Sequence, residues 1–222
     1  MAQAEILERG ELFFLYTPRV RPRDGLLLRI EGAPLRPRDV QRFYVVLRPQ
    51  GRALYRRLLV GRKRMPDAAR RQRFWAEVER VERSAGAVLG DLRRFEYETK
   101  TRGQRVQPAA KPAGEGVYAM LRHGSHSHLT YRLVDPADPG DVQRALGILP
   151  RASYIAAAFN PEAPPKLGRR PPEVPLLPQS IRDRFAERRF APVDPGLLNV
   201  PGLELVLIGA PHLAAEAALE LR

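Results

Sequence analysis

GVYAMLRHGSHSHLTYRLV, residues 116–134, is the stretch on which the fold class turns. Two strand-like runs flank Gly124-Ser125, and a two-residue loop led by glycine suits a type II′ hairpin turn. That turn predicts a register in which His123 faces His126 and Leu121 faces His128. Residues directly opposite share a face, so His123, His126 and His128 are expected on one side of the hairpin. On its second strand, Ser127, Leu129, Tyr131 and Leu133 make the more apolar face, and His126, His128, Thr130 and Arg132 the polar one. A hairpin of this kind calls for an antiparallel sheet.

Working outward, ELFFLYT (11–17), FYVVLR (43–48) and LYRRLLVGRKR (54–64) read as strands, as do ASYIAAAF (152–159) and LELVLIG (203–209). FEYETKTR (95–102) alternates, with Phe95, Tyr97, Thr99 and Thr101 on one face and Glu96, Glu98, Lys100 and Arg102 on the other. Residues 104–115 read as a Pro/Gly/Ala loop. Two helices are expected. One spans 68–92, with Phe74, Val78, Val81 and Ala85 on one side and Trp75 beside them, packed into the sheet. The other starts at Pro139 behind an Asp138 cap, with Val142, Ala145, Leu146 and Leu149 as its stripe. Shorter helices are expected at 181–189 and 212–221. The expectation is α+β: a largely antiparallel sheet of about seven to nine strands with two main amphipathic helices.

Asp-Val-Gln-Arg occurs twice, at 39–42 and 141–144, each copy between apolar strands. This suggests one compact unit, 1–222, built from two similar sub-halves, 1–105 and 106–222. Residues 161–180 are rich in proline and read as a surface segment.

The chain has 222 residues, no cysteine and a net charge of +13. Disulfides, thiolate metal sites and cysteine nucleophiles are therefore excluded. Acidic residues near the N-terminus do not resemble a secretion signal, and the most apolar stretch, 197–221, is interrupted by proline and glutamate, so a cytoplasmic protein is expected. Of the 38 basic residues 34 are arginine, which fits GC-rich coding; only Asn160 and Asn199 are asparagine, which fits heat adaptation. The excess charge also attracts polyanions.

Three features carry candidate chemistry. His123, His126 and His128 form H-x-x-H-x-H, a set suited to a divalent metal such as zinc, with Glu96, Glu98 or Glu115 as a carboxylate ligand or partner. His126 and His128 stand about 6.5 Å apart along one strand, so their rings must converge to share an ion. Lys100, Arg102 and Arg105 surround Gly103 and, with Arg122, make a candidate anion site. Gly61-Arg62-Lys63-Arg64 is a further basic cluster at a strand end. No Walker A, G-x-G-x-x-G, H-E-x-x-H or G-x-S-x-G pattern occurs.

GRKRMP (61–66), EYETKTRG (96–103) and PAGEGVYAMLRH (112–123) resemble an uncharacterised family of bacterial proteins over most of the chain. That resemblance implies a bacterial origin and assigns no activity and no catalytic residue. The residues themselves point first to a binding protein for an anionic ligand, nucleic acid or a phosphorylated metabolite. The alternative is a metal-dependent enzyme acting on an acidic substrate through the three histidines.

Overall fold

Period-two alternation runs through eight strands, and each turns an apolar face, such as Leu12-Phe14-Tyr16 or Leu129-Tyr131-Leu133, toward one axis. In this computed structural model, which describes residues 4–22, 35–163 and 177–210, those strands close into an antiparallel barrel. They are β1 (Glu5–Pro18), β3 (Val40–Pro49), β4 (Tyr55–Val60), β5 (Arg73–Glu82), β8 (Lys111–His123), β9 (His126–Asp135), β10 (Arg151–Phe159) and β12 (Glu204–Ala210). Around the barrel the order is β1-β3-β4-β5-β12-β10-β9-β8, and β8 returns to β1. A short β2 (Arg21–Pro22) joins β7 (Gly103–Gln107) and β6 (Phe95–Thr99) in a separate three-stranded sheet. The three-residue β11 (Phe190–Pro192) pairs with the end of β10.

The segments 1–105 and 106–222 each supply four neighbouring barrel strands. They meet first strand to first, β1 with β8, and last to last, β5 with β12. Residues of both segments share one core. The two Asp-Val-Gln-Arg copies differ in conformation: Asp39 ends a 3-10 turn before β3, whereas 141–144 lies in a helix.

Eight strands enclose a space that side chains alone can fill. Phe14 stacks at 6.1 Å on Phe43 of the neighbouring β3 and meets Tyr131 of β9, two strands away, edge-on at 5.1 Å. Closure brings some strands very close. A Cβ on Gly10 would lie 2.1 Å from the Arg48 carbonyl oxygen, and one on Gly116 would lie 2.2 Å from that of Arg132. Only glycine permits these approaches.

At the barrel end where β1 begins, the core becomes polar. Arg56, on the inward face of β4, is wholly buried and donates to both carboxylate oxygens of Glu8, at 2.5 and 3.1 Å. It also donates to the Asn199 side chain at 2.7 Å and to the Pro195 carbonyl at 3.2 Å. The Tyr118 hydroxyl donates to Glu8 at 2.7 Å, and burial together with the Glu8 charge pushes this phenol far above its ordinary value. On the outer wall Arg57 is buried beneath α1 (Ala85–Leu89), where it donates to Asp91, Glu79 and the Val88 carbonyl.

The α+β expectation is corrected by this architecture. Residues 68–92 are no long helix: they carry β5, then only α1 and a 3-10 turn, Gly90–Leu92. The cause is a bulge. Phe74, Ala76 and Val78 alternate inward, but the β4–β5 register then shifts so that Leu58 faces Val78 while Arg57 faces Arg80. Glu79 is the extra residue, and Val81, three positions after Val78, packs against the core again. Inward residues at 74, 78 and 81 thereby imitate helical spacing. Trp75 sits on the outer wall, 37% exposed, and not in the core.

The second expected helix shrinks to α2 (Asp141–Ala145), capped after Gly140 rather than Asp138 and stopped at Gly147 with φ +66°. Leu149 is 40% exposed and leaves the expected stripe. The short helix expected at 181–189 is reduced and shifted to α3 (Gln179–Arg182), and 183–189 is turn and irregular chain. The supposed loop at 104–115 holds β7 and the start of β8. The expected helix at 212–221 and most of the proline-rich segment 161–180 lie outside the described residues. Among the described residues no helix is long and apolar enough to cross a membrane.

Candidate anion-binding hairpin

The β8–β9 hairpin has the register expected from its turn: His123 faces His126 and Leu121 faces His128, with Gly124 at φ +58°. Leu129, Tyr131 and Leu133 point into the barrel, so the histidines lie on its outer wall. His126 is exposed, while His128 is half-buried between Leu121 and Ile155 and has its Nδ1 3.3 Å from the Ser153 hydroxyl. Burial, reinforced by the charges of His123 and His126, holds the His128 imidazole below its ordinary pKa.

A depressed imidazole pKa means the unfolded chain takes up a proton at a higher pH than the folded one. Stability is therefore complete above the unfolded value near 6.5 and declines as pH falls toward the lower folded value. Melting temperature measured from pH 7.5 down to 5 is expected to fall less steeply in His128→Asn than in the wild type. An identical slope in both would refute the burial argument.

The candidate metal ligands are dispersed. Glu115 faces Asp135 at the far end of the hairpin, eight residues from His123, roughly 26 Å along the strand. Glu96 and Glu98 are in the separate small sheet, where Glu96 is bridged by Arg94 at 2.6 Å. Among the described residues no group of three or more histidine, aspartate or glutamate side chains is gathered to hold a metal ion.

Arg122 is likewise parted from the other three anion-site candidates. It pairs with Ser127 on the register that alternates away from the histidines, and both its Nε and the Ser127 hydroxyl are buried. Lys100, Arg102 and Arg105 lie with β6–β7, which attaches where β1 ends: Gln107 donates to the Pro18 carbonyl at 3.0 Å, and Arg21 pairs with Val106. β8 runs from this end of the barrel to the histidine tip over its full length.

Around β6–β7 the three cations do come together. Thr99 faces Gly103, so Lys100, Thr101 and Arg102 form a tight exposed turn. Lys100 and Arg102 thus occupy a turn and not the strand face expected for them. The Thr99 hydroxyl accepts from the Arg102 backbone N–H at 3.1 Å, and Gly103 takes φ +61°. Arg105 stands directly opposite Tyr97, and Gln107 opposite Phe95. Glu96 pairs with Val106 and Glu98 with Gln104, which puts both acids on the other face.

Phe95 and Tyr97 share their face with Arg105 and Gln107. They are 50% and 38% exposed, with ring centroids 5.7 Å apart and planes tilted by 34°. Their alternation against the glutamates was readable in the sequence; that they face outward was not. The other basic cluster is tied into the fold: Lys63 donates to the Val40 carbonyl at 2.9 Å and Arg64 stacks on Phe74.

The fold and this hairpin define a class, a filled antiparallel barrel carrying a small basic, aromatic sheet at one end. Compared with family models, curated proteins and solved structures, the chain has no match.

Proposed function

We propose that the protein binds a polyanion on the β6–β7 hairpin, in the cytoplasm. The observation that carries this is the segregation of charge across one small sheet. Arg105 shares a face with Phe95 and Tyr97, Glu96 and Glu98 lie on the other face, and Lys100 and Arg102 stand in the exposed turn at the end of the hairpin. A polyanion drawn by the overall charge of +13 meets there a face that carries Arg105 and neither glutamate, with a cationic turn at its end. Lys100 and Arg102, exposed in the turn, suit a ligand whose binding releases counterions, since they keep their hydration until contact.

Heparin chromatography tests this. The wild type is expected to be retained at low salt and eluted by rising salt. Lys100→Ala/Arg102→Ala/Arg105→Ala is expected to elute much earlier, with a salt slope reduced by about two to three, at roughly 0.7–0.9 per lost contact. Arg52→Ala/Arg62→Ala/Arg83→Ala removes the same charge from exposed positions elsewhere. Equal elution of the two triple variants would mean that net charge and not the hairpin does the binding, and the proposal would fail.

A further inference from the structure

Resting on that reading, we propose that the polyanion is single-stranded nucleic acid, two of whose unpaired bases stack on Phe95 and Tyr97. The barrel has no use for these rings. Phe14, Phe43, Tyr44, Tyr118, Tyr131 and Tyr154 are each at most 1% exposed, whereas Phe95 and Tyr97 stand half open to solvent. They occupy alternate positions of one strand, so both present to the same side. Arg105, opposite Tyr97, and the Lys100–Arg102 turn lie where a phosphate backbone would run beside bases seated on the rings.

Aromatic platforms bordered by cations hold single strands in this way, because every base has a π-face and every nucleotide a phosphate. A duplex offers the same phosphates but keeps its bases stacked inside. A phosphorylated metabolite would use one or two cations and leave the pair of rings unexplained. The other aromatic group, Trp75 with Phe159 and Phe190, is closed in on itself: Phe159 is buried, and its ring is already covered by the Arg189 guanidinium at 5.5 Å. It adjoins Glu77 and Glu204, which face each other across β5 and β12 and repel a phosphate backbone.

The test pairs a ligand with bases and one without, on the full chain. Fluorescein-labelled twelve-nucleotide oligothymidylate and oligouridylate are titrated by anisotropy, and heparin elution is followed in parallel. Phe95→Ala/Tyr97→Ala is expected to weaken both oligonucleotides about a hundredfold, about tenfold per ring, with heparin elution unchanged. Tyr97→Phe keeps the π-face and is expected to bind like the wild type. A DNA duplex of the same length is expected to bind at least tenfold more weakly than either single strand.

The outcomes separate the two readings. Oligonucleotide affinity unchanged in the double alanine variant overturns base stacking, and so does a duplex bound as tightly as the single strands. An equal loss of heparin and oligonucleotide binding also overturns it, since the rings would then serve only the hairpin's shape. Heparin retained by a wild type that ignores both oligonucleotides leaves the polyanion reading standing and removes this one. Retention of neither removes both.

Discussion

Arg56→Leu is expected to lower the free energy of unfolding by about 3–5 kcal/mol. The Arg56 side chain is 0% exposed and that of Glu8 7%, so neither can turn to water when its partner is lost. Truncating Arg56 leaves the Glu8 carboxylate inside the barrel with, among the described residues, the Tyr118 hydroxyl as its remaining side-chain donor, and strips partners from Asn199 and the Pro195 carbonyl. The cost arises from that stranded charge more than from the lost attraction. The double variant Glu8→Leu/Arg56→Leu removes both charges and is therefore expected to lose much less than the sum of the single changes. A urea-denaturation double-mutant cycle measures the difference. An Arg56→Leu loss below 1 kcal/mol, or strict additivity of the two changes, would show that the network does not hold this end of the barrel.

Phe14→Ala is expected to cost about 3–5 kcal/mol by a different route. Phe14 is 0% exposed and touches rings from strands on either side of β1, Phe43 on β3 and Tyr131 on β9. A closed barrel collapses poorly around a void, because its strands are held by hydrogen bonds on both sides and cannot move inward separately. Phe14→Leu refills most of the volume and is expected to lose well under half as much. Thermal and urea denaturation of the two variants give the comparison; equal losses would contradict a cavity as the cause. Neither variant touches the β6–β7 hairpin, so heparin retention of the folded protein is expected to survive both.

The hairpin at 116–134 was legible in full, down to the pairing of His123 with His126, because a two-residue turn leaves the register little freedom. The strands at 11–17, 43–48, 152–159 and 203–209 were legible from their apolar runs. The helix expected over 68–92 was misread because a bulge at Glu79 converts a two-residue period into a gap of three. Lys100, Arg102 and Arg105 lie on one hairpin, as neighbours along the chain. Arg122 and the three glutamates were grouped with residues that the barrel places elsewhere.

By itself, then, the sequence determined what depends on neighbours in the chain: alternation, turn chemistry, the histidine register and the excess of positive charge. Tertiary structure alone decided which alternating face lies inside. Phe95 and Tyr97 alternate as cleanly as Leu129 and Tyr131, yet the first pair is exposed and the second buried. The difference comes from closure. Strands that join the ring of eight have an interior to fill, whereas β6 and β7 pair outside it and have none. The meeting of β1 with β8 and of β5 with β12 links residues about a hundred or more positions apart, and no local pattern encodes it. That closure buries Arg56 with Glu8 and carries the aromatic, cationic sheet to the opposite end of the barrel from the histidines.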